Sequence, residues 1–335
     1  MTKTKRLNSY EKHLANLHAK INTPDEVINN AVREAVGVFP ALKIKILKGE
    51  ANEVYEVKTS KGDFFVRISR SEKPDYLQEK WAIEQVSEIG VPVPESLLIK
   101  HVTLDGQQLS INIQKKIRGD TLERGDIDYK SMDQEKLKKI IVKAGELLSR
   151  IHSVKTVGFK HLDGNGVGSV STYREMWNDL LVPEKEKECI EIAKTVKFSP
   201  VLMKKIFELL RDEISKAPNI SPVLNHGDYG PKHIMVEDET ITGILDWGGV
   251  SGNSPIADFA WWDYWYGDSI PISWLQEGYA DKSMFDSNFE RWLTVIKLKI
   301  GAGMLYWFSI QNYKEGVEKA KEHLIKDFEY FKKIK

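Results

Sequence analysis

Apolar residues recur at every second position through much of the first third of this chain, and at every third or fourth position beyond Gly119. The first pattern belongs to half-buried strands, the second to helices packed by one face. A chain with both is expected to be α+β, with a small antiparallel-sheet lobe followed by a mainly helical lobe. We place the division between residues 1–118 and 119–335. At roughly 150 residues per domain, 335 residues are enough for two such lobes.

Before the sheet, residues 9–21 carry Tyr10, Leu14, Leu17 and Ile21 on one helical face. Thr23 then reads as an N-cap, with Pro24 at the first helical position, Glu26 closing a capping box and Gly37 stopping the helix. Leu42, Ile44 and Ile46 alternate with Lys43 and Lys45 in a first strand. Residues 53–58 and 64–68 form two more, separated by turns. A helix over 76–89 is ended by Gly90, and Pro92 and Pro94 forbid its continuation. Strands 97–102 and 109–114 flank Asp105-Gly106, a hairpin turn signal.

Past Gly119, Leu137, Ile140, Ile141, Ala144, Leu147, Leu148 and Ile151 form a wide stripe on one long helix. Residues 163–168 are a Gly-rich loop, and more helices are expected over 173–216. Short strands around an irregular loop occupy 223–247, and the remainder is helical.

Composition excludes several classes. Lys plus Arg and Asp plus Glu both total 49, so the chain lacks the positive balance of a nucleic-acid binder. Cys189 is the only cysteine, which excludes an intramolecular disulfide and a multi-cysteine zinc site. The apolar stretch 292–310 contains Lys297 and Lys299 and reads as a buried helix, so no membrane partner is expected. The basic start of the chain is followed by no apolar run, and a cytoplasmic location is expected.

The chemistry concentrates in Asn225-His226-Gly227-Asp228-Tyr229-Gly230-Pro231-Lys232-His233 and in Leu245-Asp246-Trp247. Asp228 and Asp246 are eighteen residues apart, and a hairpin of strands 234–236 and 241–245 would bring them together. One carboxylate could then orient an attacking hydroxyl while the other holds a divalent cation against phosphates, with His233 facing the same place. Those are the parts of phosphoryl transfer. Upstream, Arg67 follows an apolar run, and either Glu79 or Glu84 on the next helix could pair with it.

These motifs resemble those of the aminoglycoside phosphotransferase family, nearest in pattern to its hygromycin and macrolide branches. The similarity runs from about Leu42 to Trp262. The resemblance implies a bilobal protein-kinase-like fold and transfer of phosphate from ATP or GTP, with Mg²⁺, to a hydroxyl of a small molecule. It implies that Asp228 is the catalytic base and that His233 and Asp246 are metal ligands. Gly49 and Asn52 would lie on the nucleotide-covering turn, Arg67 on the phosphates, and Glu79 on Arg67. The nucleotide base would lie against the linker from Gln114 to Ile117, and His226 would shape the loop backbone. The implied acceptor is an aminoglycoside-like or macrolide antibiotic, with a sugar or amino alcohol as the metabolic alternative. His233 stands where Asn is commoner, and Mg²⁺ prefers oxygen to imidazole nitrogen, which motivates a second reading as a nucleotide-binding pseudokinase or regulatory module. Asp258 reads as a helix cap or loop brace. Trp261, Trp262 and Trp265 read as core packing or a substrate wall, and Asp263, Asp268 and Glu277 as solvated or facing a cationic substrate.

Overall fold

A computed structural model of the chain describes residues 21–46, 52–70, 76–123 and 127–334. The helix expected over residues 9–21 therefore lies almost wholly outside the described residues. The first lobe holds helix α1 (Asp25–Val36) and strands β1 (Leu42–Ile46), β2 (Glu53–Thr59) and β3 (Gly62–Ser69), then α2 (Leu77–Glu88), β4 (Ser96–Leu104) and β5 (Gln107–Lys115). The strands form one antiparallel sheet in the order β1-β2-β3-β5-β4, so the last hairpin enters with β5 beside β3. Its turn is Asp105-Gly106, both at positive φ (50° and 79°), as that dipeptide demands.

Helix α1 ends at Gly37 in the left-handed conformation, as expected, but it does not begin as the sequence suggests. No side chain caps it. The Thr23 hydroxyl and amide instead donate to the carboxylate of Glu53, at 2.6 and 3.0 Å. A buried carboxylate left without donors costs more than an open helix end, so the threonine goes to the carboxylate.

Strand β1 has its polarity reversed relative to the covered face of the sheet. Lys43 and Lys45 share the α1 side with Tyr55 and Val57, their ammonium groups 5.3 and 5.8 Å from the centre of the Tyr55 ring. Lys43 pairs with Asp25 and Lys45 with Glu53. Leu42, Ile44 and Ile46 face the other way, and Leu42 and Ile44 are 47% and 45% exposed. Opposed residues in an antiparallel ladder share a face. Ile46 opposes Val54, Val54 opposes Arg67, Ile44 opposes Glu56, Glu56 opposes Phe65, and Phe65 opposes Gln114. An apolar strip of Leu42, Ile44, Ile46, Val54 and Phe65 thus lies on the same side of the sheet as Arg67.

Beyond Gly119 come β6 (Asp120–Thr121), α3 (Gln134–Ser153), β7 (Phe159–Leu162), β8 (Gly168–Val170), α4 (Asn178–Leu181), α5 (Pro183–Thr195), α6 (Pro200–Ser215) and β9 (Val223–Asn225). These are followed by β10 (Ile234–Glu237), β11 (Thr240–Ile244), β12 (Ser251–Asn253), α7 (Ile256–Tyr266), α8 (Ile272–Gly278), α9 (Phe289–Ile310) and α10 (Lys314–Ile334). The strands make two small sheets, β11-β10-β6 and β8-β7-β12-β9. The Gly-rich stretch 163–168 is the turn of the β7–β8 hairpin. Gly119 sits at φ 90°, where a Cβ would strike the Val236 carbonyl, so the glycine lets the linker cross the β10 hairpin closely.

Asp133 caps α3 by accepting from the amides of Glu135 and Lys136, which is typically worth about 1 kcal/mol. Every member of the stripe read on α3 is buried. Helix α2 follows the sheet in sequence, but its Ala82, Ile83 and Val86 join the large helical core rather than the core under the sheet. It is therefore the element that carries Glu79 between the two cores. Among the described residues α9 alone is long and apolar enough to cross a membrane. Here it packs against α10 and α7, and its Lys297 lies 2.8 Å from both Asp263 and Asp327.

Candidate active site

The β10–β11 hairpin sets the site. Ile234 pairs with Ile244, and the Leu245 amide donates to the His233 carbonyl at 2.8 Å. The register carries His233, just before β10, against Asp246, two residues after the end of β11. His233 Nε2 lies 3.0 Å from Asp228 Oδ2 and 3.8 Å from Asp246 Oδ2. One ligand atom from each of Asp228, His233 and Asp246 lies within 4.8 Å of the others. Two carboxylates and one imidazole at that spacing fit a divalent cation, although a set without the nitrogen would suit Mg²⁺ better. Asp246 is held at φ 60°, ψ 67°, a left-handed conformation that non-glycine residues rarely adopt.

The loop that presents Asp228 is built on one buried carboxylate. Asp258, in the first turn of α7, accepts the His226 amide on Oδ2 and the Gly227 amide on Oδ1, both at 2.8 Å. Its Oδ2 also lies 3.1 Å from His152 Nε2. Asp258 is thus the loop brace that the sequence allowed. Gly227 sits at φ 81° with the Gly249 carbonyl where a Cβ would be, so only glycine fits. Burial pushes the His226 pKa down and keeps the ring neutral. Its Nδ1 accepts the Asp228 amide at 3.3 Å, and its Nε2–H donates to the Leu245 carbonyl at 2.9 Å. Both ring nitrogens are thus committed to backbone groups of the two loops.

Asp228 itself is held by three side chains. His233 and the Lys232 ammonium lie at Oδ2, at 3.0 and 2.7 Å, and Trp261 Nε1–H donates to Oδ1 at 2.7 Å. Burial raises the pKa of this carboxyl, but His233 and Lys232 outweigh it and hold the group well below the usual carboxylate range. Asp228 is therefore ionised and oriented throughout the neutral range.

On the sheet side, Arg67 makes an ion pair with Glu79 and reaches Asp246 Oδ1 at 3.3 Å. Burial opposes the charge on Arg67, but Glu79 and Asp246 secure it. Of the two carboxylates open in the sequence, Glu79 takes the arginine, while Glu84 pairs with Lys80 one turn away on α2. The Gln114 side chain joins the ion pair: Nε2 donates to Glu79 at 3.2 Å, and Oε1 lies 3.5 Å from Arg67 Nη1. A buried amide beside an ion pair is more use satisfying it than facing the cleft. Ile117 packs over Gly243 of the β10–β11 hairpin. Asn52 lies half-buried immediately before β2, and Gly49 is outside the described residues.

Sequence reasoning missed three residues. Lys232 sat inside the quoted motif without a role. Trp261 was read only for its bulk, although an indole N–H one turn from a braced loop is a ready donor. Tyr76 carried no signal: it is buried at φ 65°, with the Arg67 guanidinium 5.4 Å over its ring and no partner for its hydroxyl among the described residues.

Solved structures share this architecture. A thermostable mutant of aminoglycoside phosphotransferase APH(4)-Ia, in ternary complex with ADP and hygromycin B, matches with a TM-score of 0.71 at 15% identity, over 90% of this chain and 97% of that one. A candidate fructosamine-3-kinase from Haemophilus somnus 129PT matches with a TM-score of 0.59 at 14% identity, over 89% and 96%. APH(2″)-IIa in complex with gentamicin gives 0.57 at 15% identity, over 91% and 97%. At such identities the likeness establishes the fold, the bilobal protein-kinase-like arrangement expected from the motifs. No curated protein matches the sequence. The model of the phosphotransferase enzyme family APH matches residues 44–291, well over half of the chain, which therefore belongs to that family.

Proposed function

We propose that this protein transfers the terminal phosphoryl group of ATP or GTP to a hydroxyl of a small molecule. The observation that carries the reading is the continuous chain of contacts from Glu79 through Arg67 to Asp246, His233 and Asp228. It joins a phosphate-binding cation, a metal-ligand set and an oriented carboxylate within one site. The apolar strip of β1 to β3 supports it, since it offers a roof of Leu42, Ile44, Ile46 and Val54 for a nucleotide base on the face that bears Arg67. APH(4)-Ia binds ADP and hygromycin B in a fold of the same shape.

In this reading Arg67, held by Glu79 and Gln114, grips nucleotide phosphate oxygens. A permanently charged fork suits that task. His233 and Asp246 would hold Mg²⁺, which when bound neutralises charge on the phosphates. Asp228 accepts a hydrogen bond from the acceptor hydroxyl and aligns its oxygen with the terminal phosphorus. The new acceptor O–P bond forms as the bond to the nucleoside diphosphate breaks, and the hydroxyl proton passes to Asp228. A carboxylate with so low a pKa is a weak base, so its main contribution is orientation, with the proton moving late. Lys232, which pairs with the same carboxylate, would add positive charge beside the moving phosphoryl group.

The test is a screen of hydroxylated acceptors by coupled nucleoside-diphosphate release, with ATP and GTP in parallel. Acceptor-dependent release with either nucleotide supports the reading. Mg-nucleotide binding with neither acceptor-dependent release nor slow hydrolysis would favour the pseudokinase reading instead.

A further inference from the structure

Resting on the phosphotransferase reading, we propose that the acceptor carries an anionic group on a hydroxylated ring, with the ring against Trp261 and Trp265 and the anion on Lys319. The argument begins with the acids that could have met a cationic acceptor. Asp263 lies 2.8 Å from Lys297, Asp268 lies 2.7 Å from Lys326, and Glu277 lies 2.9 Å from Lys138. Asp268 and Glu277 each have a lysine partner, and Asp263 shares Lys297 with Asp327, so each of the three already has a cation within the protein.

The groups that lead away from Asp228 have the opposite character. Trp261 is bonded to Asp228, and Trp265 follows one turn later on α7 with the ring centres 5.8 Å apart. Lys319 of α10 places its ammonium 4.8 Å from the centre of the Trp265 ring. Among the described residues it has no hydrogen bond and no ion pair. Asp268, Glu123 and Lys130 act on its charge, and it acts in turn on the buried His323, four residues further along α10. Asp268 is taken by Lys326, and Glu123 accepts from the Tyr266 hydroxyl at 3.2 Å. Trp265 Nε1–H is buried, with no acceptor among the described residues, so it is the faces of this ring that matter here. Leading away from Asp228, then, the protein offers two neighbouring indoles and a lysine that has no hydrogen bond or ion pair among the described residues.

That combination suits a carboxylate or phosphate on a ring. Aromatic faces hold the apolar side of a ring, and a partly desolvated ammonium gains more from an anion than an exposed one does. Burial opposes the charge on Lys319, and an anion beside it would favour that charge. A polyamine acceptor would instead bring like charge to Lys319.

The test uses matched triplets of hydroxylated ring compounds, of which glucuronate, glucose and glucosamine are the simplest. Each is assayed by nucleoside-diphosphate release and by tryptophan fluorescence with the full-length protein, its Lys319→Gln variant and its Lys319→Glu variant. The expected result is that anionic members perturb the fluorescence and are preferred by the parent. Lys319→Gln should raise their KM about tenfold with kcat little changed, and Lys319→Glu should reverse the charge preference. Mg-nucleotide thermal stabilisation should be equal in all three proteins. A cationic or neutral preference in the parent overturns the proposal, as does a charge preference that Lys319→Glu leaves unmoved. So does a fluorescence response that anionic members fail to produce at millimolar concentration. Each of these leaves the phosphotransferase reading standing, whereas loss of Mg-nucleotide stabilisation in the parent itself would remove both.

Discussion

Two buried carboxylates organise this site, and they do so differently. Glu79 holds a side chain: its charge is spent on Arg67, with Gln114 filling the remaining position. Asp258 holds backbone: it takes two consecutive amides, at His226 and Gly227, and touches His152. The first arrangement fixes one cation, whose other end lies at Asp246 Oδ1. The second fixes the path of the chain, and everything attached to that path moves with it. Damage at Glu79 should therefore appear as weaker nucleotide binding, and damage at Asp258 as lost stability and turnover together.

The largest effect is expected at the residue that the Asp258 brace presents. Asp228→Asn should lower kcat by about 10²–10⁴-fold and leave Mg-nucleotide affinity nearly unchanged, because the sheet-side contacts survive. Steady-state kinetics with a nucleotide-binding thermal shift separates the two. Asp258→Asn comes next. An amide keeps one acceptor but turns donors toward donors, and about 3 kcal/mol of stability should be lost, read by denaturant unfolding. If kcat falls while stability holds, Asp258 has a role beyond bracing.

A similar loss in size, but dependent on pH, is expected from Glu53, which five groups surround at the start of β2. Burial raises the pKa of Glu53, but donors from Thr23, Tyr55 and Arg70 pull it down to about 2 from an ordinary 4.5. The folded state favours the ionised form, so this contribution is complete above about pH 4.5 and lost as pH falls toward 2. It amounts to about 3 kcal/mol. Unfolding followed against pH should show a steeper acid loss in the parent than in Glu53→Gln, and parallel curves would contradict the assignment.

Glu79→Gln should raise nucleotide KM by about 10–30-fold, with a smaller change in kcat, because Arg67 loses its strongest partner. A kcat effect larger than the KM effect would erase the contrast drawn between the two carboxylates. The smallest effect is expected from Trp261→Phe, which removes one of three groups on Asp228 and keeps the ring. About a fivefold loss in kcat is the size of one hydrogen bond to a charged acceptor that retains other partners.

Most of the architecture was legible because it is written in period. Alternation located the five strands of the first sheet, and the stripe on α3 was read residue by residue. The spacing of Asp228, His233 and Asp246 also survived, because a hairpin converts sequence distance into register. Period carries no phase, however. Alternation at 42–46 marked a strand but could not say that Leu42, Ile44 and Ile46 face away from the helix-covered core and onto the side of Arg67. Strands β6 and β12, of two and three residues, are too short to have a period at all. Thr23 was misread because the local capping pattern was complete, while its competitor, Glu53, lies thirty residues away. The polar partners of Gln114 and Trp261 were not legible for a related reason: only the folded chain brings them near.

The central claim is that Asp228 directs an acceptor hydroxyl at the terminal phosphate of a bound nucleotide. The most direct measurement follows the label from γ-³²P nucleotide into acceptor, for the parent and Asp228→Asn at saturating Mg-nucleotide. The account predicts acid-stable label on an acceptor oxygen with the parent, and a loss of at least about a hundredfold in the variant with nucleotide still bound. Equal labelling by the two proteins, or a nucleotide-loaded parent that labels no acceptor and releases no phosphate, would contradict it.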